Sequence, residues 1–402
     1  MTKGIKDLQP ARLEQALSAR GLTKGQLASL VGVAASTVTK WCKGDQFPEA
    51  EAFDRLALVL NVQAEWLARP MLPPVTPPLY RSNANALKSA RAKLEAHTEW
   101  AQEIALLLSN YVDYPKLNIP KRSFIDPEQI SSADIEAAAE ECRALWQLGK
   151  GPIQNLVLAA EGAGVLVIRQ ETEISVIEGL SAWSQPLGCP IILLAADKAN
   201  GFRSRFDLAH EIGHLVLHKH IPKTDDKERY NLMEKQAHRF AGALLLPAET
   251  FANEVRIPSN LDNLLILKQR WGVSVAAMMM RLHALGLLSD DERLLLFKRR
   301  SARWGSKAEP GDDQWEPELP RLLRRTIELL INEGVLSVDN IPRYLGISPR
   351  DVEKLCHLRE NYFDSPVAVI ELAALRAEKY QSQLSRLSGD KAPVVPLQRL
   401  KK

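Results

Sequence analysis

The stretch that most restricts what this chain can fold into is FDLAHEIGHLVLHKH, residues 206–220, which holds four of its eight histidines. Within it, His210-Glu211-Ile212-Gly213-His214 is an HExxH motif. On a helix, positions i and i+4 share one face, so both imidazoles reach a single metal ion while Glu211 projects beside them. The motif therefore asks for a helix at this point and for a further ligand delivered by another part of the chain.

Several residues compete for that ligand position. His220 follows His214 by six residues, the spacing of HExxHxxGxxH sites, but Leu217 stands where that pattern needs a helix-ending glycine. His218 lies one turn beyond His214 and is expected to point away from the common focus. Both read as solvated groups near a helix C-terminus, where the dipole favours a cation. Glu234 lies 20 residues past His214, near the start of a second predicted helix, MEKQAHRFAGALLLP. The apolar face of that helix (Ala237, Phe240, Ala241, Leu244, Leu245) would pack it against the first. A carboxylate is a normal zinc ligand, and a His₂Glu set leaves a fourth position open, as catalytic sites require. His238, one turn beyond Glu234, is the rival ligand or a group just behind the ligands. Arg205, Phe206, Leu208 and Leu215 read as ordinary helical context.

The chain opens with a helical pattern over residues 8–68, spaced by Leu13, Leu17, Leu27, Leu30, Leu56, Leu60 and Leu67. Inside it, GLTKGQLASLVGVAASTVTKWCKG (21–44) has Thr23 as N-cap of a helix with Leu27, Ala28 and Leu30 on one face. Gly32 permits the tight turn that follows. A second helix at about 35–42 turns Val38 and Trp41 inward and Ser36, Thr37, Thr39 and Lys40 outward, the layout of a helix-turn-helix. The segment resembles the Cro/repressor (XRE-type) helix-turn-helix family, whose pattern is LTxxxLAxxxGVSxSTVSxWxxG. That resemblance implies that Ala35, Ser36, Thr39 and Lys40 face base edges of double-stranded operator DNA, and that Lys24, Thr37 and Lys43 approach phosphates. It also implies a homodimer reading a two-fold site. Two later echoes, WGVSVAAMMMRL (271–282) and LGISPRDVEKLC (345–356), lack the full pattern and read as helical packing modules with serine N-caps.

With a net charge of only +3, DNA binding must come from a local surface and not from bulk charge. The four scattered cysteines form no CxxC pair, which argues against a disulfide scaffold or thiolate zinc site. No uncharged apolar run reaches 18 residues and no signal peptide is evident, so the expectation is a cytoplasmic protein with no membrane contact. Proline-punctuated RPMLPPVTPPLY reads as a linker. VLVI (165–168), GLSAWS (179–184) and IILLA (191–195) read as short strands just ahead of the histidines. A helix near 132–147 has Ser132 or Asp134 as its expected N-cap, and the acidic KAEPGDDQWEPELP (307–320) reads as a second linker.

RFDLAHEIGHLVLH followed by ExxAHRFAGALLLP resembles the ImmA/IrrE family of zinc metallopeptidases, with His238 where Asn is usual. The resemblance implies Zn²⁺ held by His210, His214 and Glu234, with Glu211 as general base. The expected fold is mainly α with a small sheet. Its parts are an all-α helix-turn-helix domain (8–69), a Pro-rich linker (70–83), a helical connector (84–150), a central α+β zincin-like metallopeptidase domain (151–300), a linker (301–320) and a helical C-terminal region (321–402). The expected function is a transcriptional regulator whose zinc endopeptidase cleaves a repressor- or antitoxin-like protein, or the chain itself, under stress or on a mobile element's signal. The alternative is a non-proteolytic repressor or antitoxin whose zincin-like domain is structural or ligand-sensing.

Overall fold

The computed structural model describes residues 4–5, 7–76, 85–171, 179–197, 199–222, 226–256, 259–305 and 307–364. The chain is mainly α with one three-stranded sheet, and its contacts divide it into two compact units.

One unit is built on α1 (Pro10–Arg20), α2 (Lys24–Val31), α3 (Ala35–Lys43), α4 (Ala50–Leu60) and α5 (Ala64–Ala68), with the long α6 (Asn85–Leu108) contributing from Arg91 onward. The Thr23 hydroxyl accepts from Gln26 N while the Gln26 side chain accepts from Thr23 N, a complete capping box. Gly32 ends α2 at φ 78° and lets the chain turn into α3. Leu27, Ala28 and Val31 form the inward face of α2. Leu30, expected on that face, is instead 58% exposed, because three helical steps from Leu27 rotate it past the edge of the stripe.

The other unit holds a 3₁₀ turn (Pro127–Gln129), α7 (Ser132–Leu145), α8 (Leu156–Gly162) and strands β1 (Leu166–Gln170), β2 (Gly179–Ser184) and β3 (Cys189–Ala195). These are the strands read from the sequence, each within a few residues of its expected bounds. β3 is central, parallel to β1 and antiparallel to β2, so β2 is an edge. β3 is apolar and buried at five successive positions, whereas β2 alternates half-buried with buried residues, as an edge strand covered on one face should. The N-cap of α7 is Ser131, one residue before the expected Ser132, and Asp134 completes its capping box.

Helices α9 (Gly201–Leu217), α10 (Lys227–Leu245), α11 (Ala248–Glu254), α12 (Leu261–Trp271), α13 (Val275–Ala284) and α14 (Asp290–Trp304) complete this unit. Ala237, Phe240, Ala241, Leu244 and Leu245 are all buried, as expected of the packing face of α10. That face meets α9 at Gly213, where a Cβ would lie 3.2 Å from Ala237 Cα, Ala237 O and Phe240 Cβ. The missing side chain at Gly213 lets the two helices approach closely enough to share a site.

Residues 307–320 are not a linker. Glu309 is buried and accepts from Val275 N (2.8 Å) and Ala276 N (2.9 Å) at the start of α13, and from Arg300 Nε (3.0 Å). Trp315 packs against Phe202 with its ring tilted by 59°, its carbonyl accepts from Gly201 N at 2.8 Å, and Glu318 accepts from Leu156 N and Val157 N. Arg205, read as mere helical context, is buried, pairs with Glu318 and donates to Ile153 O at 2.9 Å. This acidic run is a strap whose carboxylates satisfy helix N-termini and buried cations, which is why it is acidic without being solvated.

Helices α15 (Leu322–Asn332), α16 (Asn340–Leu345) and α17 (Pro349–Cys356) return to the first unit. Arg20 forks onto Asp351 at 2.9 and 2.6 Å, and Gln63 N donates to Gly346 O at 2.8 Å. Residues 321–364 thus fold with the helix-turn-helix segment, while 365–402 and 77–84 of the expected regions lie outside the described residues. Ser274 and Ser348 cap α13 and α17 as the sequence echoes suggested. Among the described residues no helix is long and apolar enough to cross a membrane.

Candidate metal centre and nucleic-acid face

The HExxH segment occupies the second half of α9, whose N-terminus is capped by the Asn200 side chain accepting from Arg203 N. His210 and His214 aim their Nε2 atoms at one point and lie 3.0 Å apart. Glu234, two turns into α10 and not at its start, places Oε2 3.5 Å from His210 Nε2 and Oε1 3.3 Å from His214 Nε2. Among the described residues these three form the one group of histidine, cysteine or acidic side chains whose donor atoms converge as metal ligands do.

The donor set fits zinc. Two imidazole nitrogens and one carboxylate, each about 2 Å from a common centre, produce mutual separations of the size seen here. Burial works against charge on His210, but the Glu234 hydrogen bond and the Glu211, Glu234 and Asp207 carboxylates outweigh it and hold its pKa above the usual value. Burial likewise opposes ionisation of Glu234, yet its hydrogen bonds to His210 and His214 prevail and keep it far below the usual carboxylate range. The two shifts are the two sides of one interaction, a carboxylate placed between two imidazoles.

Glu211 is half-buried on the neighbouring face of α9 and abuts the first residue of β2. A Cβ at Gly179 would lie 3.6 Å from Glu211 Oε1. The carboxylate therefore lies against the first residue of β2. Among the described residues only Thr76 pairs with the outer side of β2, through one bond to Trp183 O of 2.9 Å at the end remote from Gly179.

His218 departs from expectation. It is 2% exposed, its Nδ1 lies 2.9 Å from His214 Nδ1, and its Nε2 lies 3.1 Å from Gln236 Oε1. Burial pushes its pKa down to about 3, so it is neutral and no helix-end cation. Its position repeats the i, i+4 step of the motif, which keeps its ring on the ligand face, in contact with His214 on the side away from the focus. His220, in contrast, is exposed beyond the helix end, as expected. His238 is an exposed ring whose centroid lies 4.4 Å from that of His210 and 5.8 Å from that of Phe206, outside the converging set. Gln236 was missed by the sequence reading. Its signal was a polar residue inside the apolar stripe between Met233 and Ala237.

In α3, Val38 and Trp41 are buried while Ala35, Ser36, Lys40 and Lys43 are exposed and Thr37 and Thr39 half-buried. The Thr39 hydroxyl donates to Ala35 O at 3.0 Å, so toward a base it offers its lone pairs only. Lys24 is held 2.9 Å from Glu14 Oε1 by an exposed ion pair. Such a pair is worth under about 1 kcal/mol, little obstacle to a phosphate.

Residues 11–69 match the family of bacteriophage CI repressor helix-turn-helix domains, and residues 160–283 match the IrrE N-terminal-like domain family of M78 peptidases. No curated protein matches the chain. The two matches, in this order along the chain, support a DNA-binding regulator that carries a peptidase-like domain.

Proposed function

We propose that this protein is a transcriptional regulator that binds operator DNA as a homodimer through α3 and carries a zinc-dependent endopeptidase acting on a repressor- or antitoxin-like protein partner. The observation that carries the reading is the convergence of His210, His214 and Glu234 on one point, with Glu211, next to His210 in the chain, against the first residue of β2.

His210, His214 and Glu234 would hold the ion. Zinc bound there supplies Lewis-acid polarisation of a scissile carbonyl and acidifies an attacking water. Glu211 accepts the proton of that water and passes it to the departing amine nitrogen, so one carboxylate serves both halves of the reaction. An extended partner segment adds to the outer edge of β2 by main-chain hydrogen bonds, which bring its backbone alongside Glu211. Ala35, Ser36, Thr39 and Lys40 meet base edges, and Lys24, Thr37 and Lys43 meet phosphates. Serine, threonine and alanine discriminate bases weakly, so phosphate contact and DNA shape carry much of the affinity.

The test compares wild type with Glu211→Gln, each co-expressed with the proteins encoded beside it and with a reporter under its own promoter. Glu211→Gln should keep its zinc, keep repressing, and leave the partner intact where wild type cuts it. If wild type cuts no partner and both proteins repress and release the reporter identically, the peptidase reading is wrong.

A further inference from the structure

Behind His214 a buried chain of hydrogen bonds runs away from the ligand focus, from His214 to His218, from His218 to Gln236, and from Gln236 to the backbone of the 127–130 turn. We infer that His218 and Gln236 are positioning residues that hold a proton on His214 Nδ1, so that Nε2 is the nitrogen left to bind the metal. The inference rests on His210, His214 and Glu234 being the metal ligands.

The protons along this chain follow from donor and acceptor chemistry alone. The Gln236 amide nitrogen lies 2.7 Å from Pro127 O and 3.3 Å from Ile130 O. Both partners are carbonyl oxygens, which only accept, so the amide cannot be flipped without setting oxygen against oxygen. Its own oxygen therefore faces His218 Nε2 at 3.1 Å, and that nitrogen must carry a proton. A neutral imidazole has one N–H, which leaves His218 Nδ1 with a lone pair. That atom lies 2.9 Å from His214 Nδ1, so His214 must donate there. The remaining nitrogen of His214, Nε2, is then the one that faces Glu234 at 3.3 Å and His210 Nε2 at 3.0 Å, and the one left for the metal.

Burial makes the arrangement decisive. Gln236 is 5% and His218 2% exposed, so no water competes for these bonds, and a reversed tautomer at either ring would bury an unpaired polar pair. A ligating histidine is commonly oriented by a carboxylate or a backbone carbonyl. Here the orienting group is a neutral imidazole, which fixes the ring without adding negative charge behind the site. His214 is thereby distinguished from His210, whose Nδ1 is buried without a hydrogen-bond partner among the described residues. The two histidines of the motif are held by different means, and His214 is the preorganised one.

The direct test needs no substitution. Histidine side-chain ¹H–¹⁵N NMR of the full-length metal-free protein should show a proton on His214 Nδ1 and on His218 Nε2, both kept on adding Zn²⁺. A metal-free His214 without a proton on Nδ1 overturns the inference. As a second arm, Zn²⁺ affinity is measured by chelator competition in His218→Leu and His218→Gln. Leucine removes the acceptor and should weaken zinc binding about 10- to 100-fold. Glutamine can accept from His214 and donate to Gln236, so it should recover most of that loss. Equal affinity in wild type and His218→Leu counts against the relay. Zinc binding that survives His210→Ala undiminished refutes the ligand assignment instead, and the NMR result separates the two failures.

Discussion

Replacing Glu309 by alanine tests whether the 307–320 strap is held by one carboxylate. The Glu309 side chain is 2% exposed and accepts from two backbone N–H groups at the start of α13, from Arg300 Nε at 3.0 Å and from Lys268 Nζ at 3.3 Å. Lys268 is wholly buried but keeps a second partner in Asp312, so the substitution does not leave it alone. Arg300, 10% exposed, loses the carboxylate it pairs with, and two amides at a helix N-terminus lose their acceptor. An orphaned buried N–H costs about 1–3 kcal/mol, and removing one member of a buried ion pair about 3–5 kcal/mol. These costs overlap, since they describe one carboxylate, and the expected loss is about 3–5 kcal/mol. Asp312→Ala should cost about 1–2 kcal/mol, because Asp312 is 19% exposed and Lys268 keeps Glu309. Glu309→Gln, which can still accept, should fall between them. The assay is urea denaturation of the purified full-length protein, with hydrogen exchange at the Val275 and Ala276 amides to localise the change. If Glu309→Ala lies within about 0.5 kcal/mol of the exposed control Asp313→Ala, the strap is not anchored as the structure indicates.

Gly213→Ala should cost about 1–3 kcal/mol, because its Cβ would meet Ala237 and Phe240 at 3.2 Å, and α10 must shift to admit it. The same shift carries Glu234 away, so zinc affinity in a chelator titration should fall together with the melting temperature. His97 is buried, shares a 3.2 Å hydrogen bond with Ala19 O, and burial pushes its pKa from 6.5 to about 4. The unfolded chain therefore binds a proton at a pH where the folded one does not, and stability falls as pH drops from about 6.5 to 4, by about 3 kcal/mol in total. Urea midpoints at pH 7.5 and 4.5 should show this loss in wild type, and a smaller one in His97→Gln, which keeps a donor for Ala19 O. On the proposed DNA face, Lys43→Ala should flatten the dependence of log affinity on log salt by about 0.9, the share of one phosphate contact. Titration of a duplex from the protein's own promoter at several salt concentrations reads that slope directly.

The parts of this protein that sequence alone made legible are those in which each residue's role is set by neighbours a few positions away. His210 and His214 share a face because the helix repeats every 3.6 residues, and the apolar stripe of α10 told which way Glu234 would be carried. Thr23, Gly32, Val38 and Trp41 are local in the same sense. Arg205, Lys268, Glu309 and Glu318 are different. Arg205 finds Ile153 and Glu318, respectively 52 and 113 positions away, and Lys268 finds Glu309 at 41. No periodicity connects such residues, so a charged residue inside a helix and an acidic run with proline and tryptophan both read as solvated. His218 shows a subtler failure. It does point away from the ligand focus, as its spacing suggests, but it is buried and not solvated, because Gln236 on another helix offers it a buried acceptor. What Gln236 had to offer as a warning was chemical and not periodic: an amide in an apolar stripe has to be satisfied somewhere, and the nearest unexplained donor was an imidazole already assigned to water. Buried polar residues that interrupt an otherwise apolar face thus point to the contacts between elements that hold a site, as the apolar face itself points to the core.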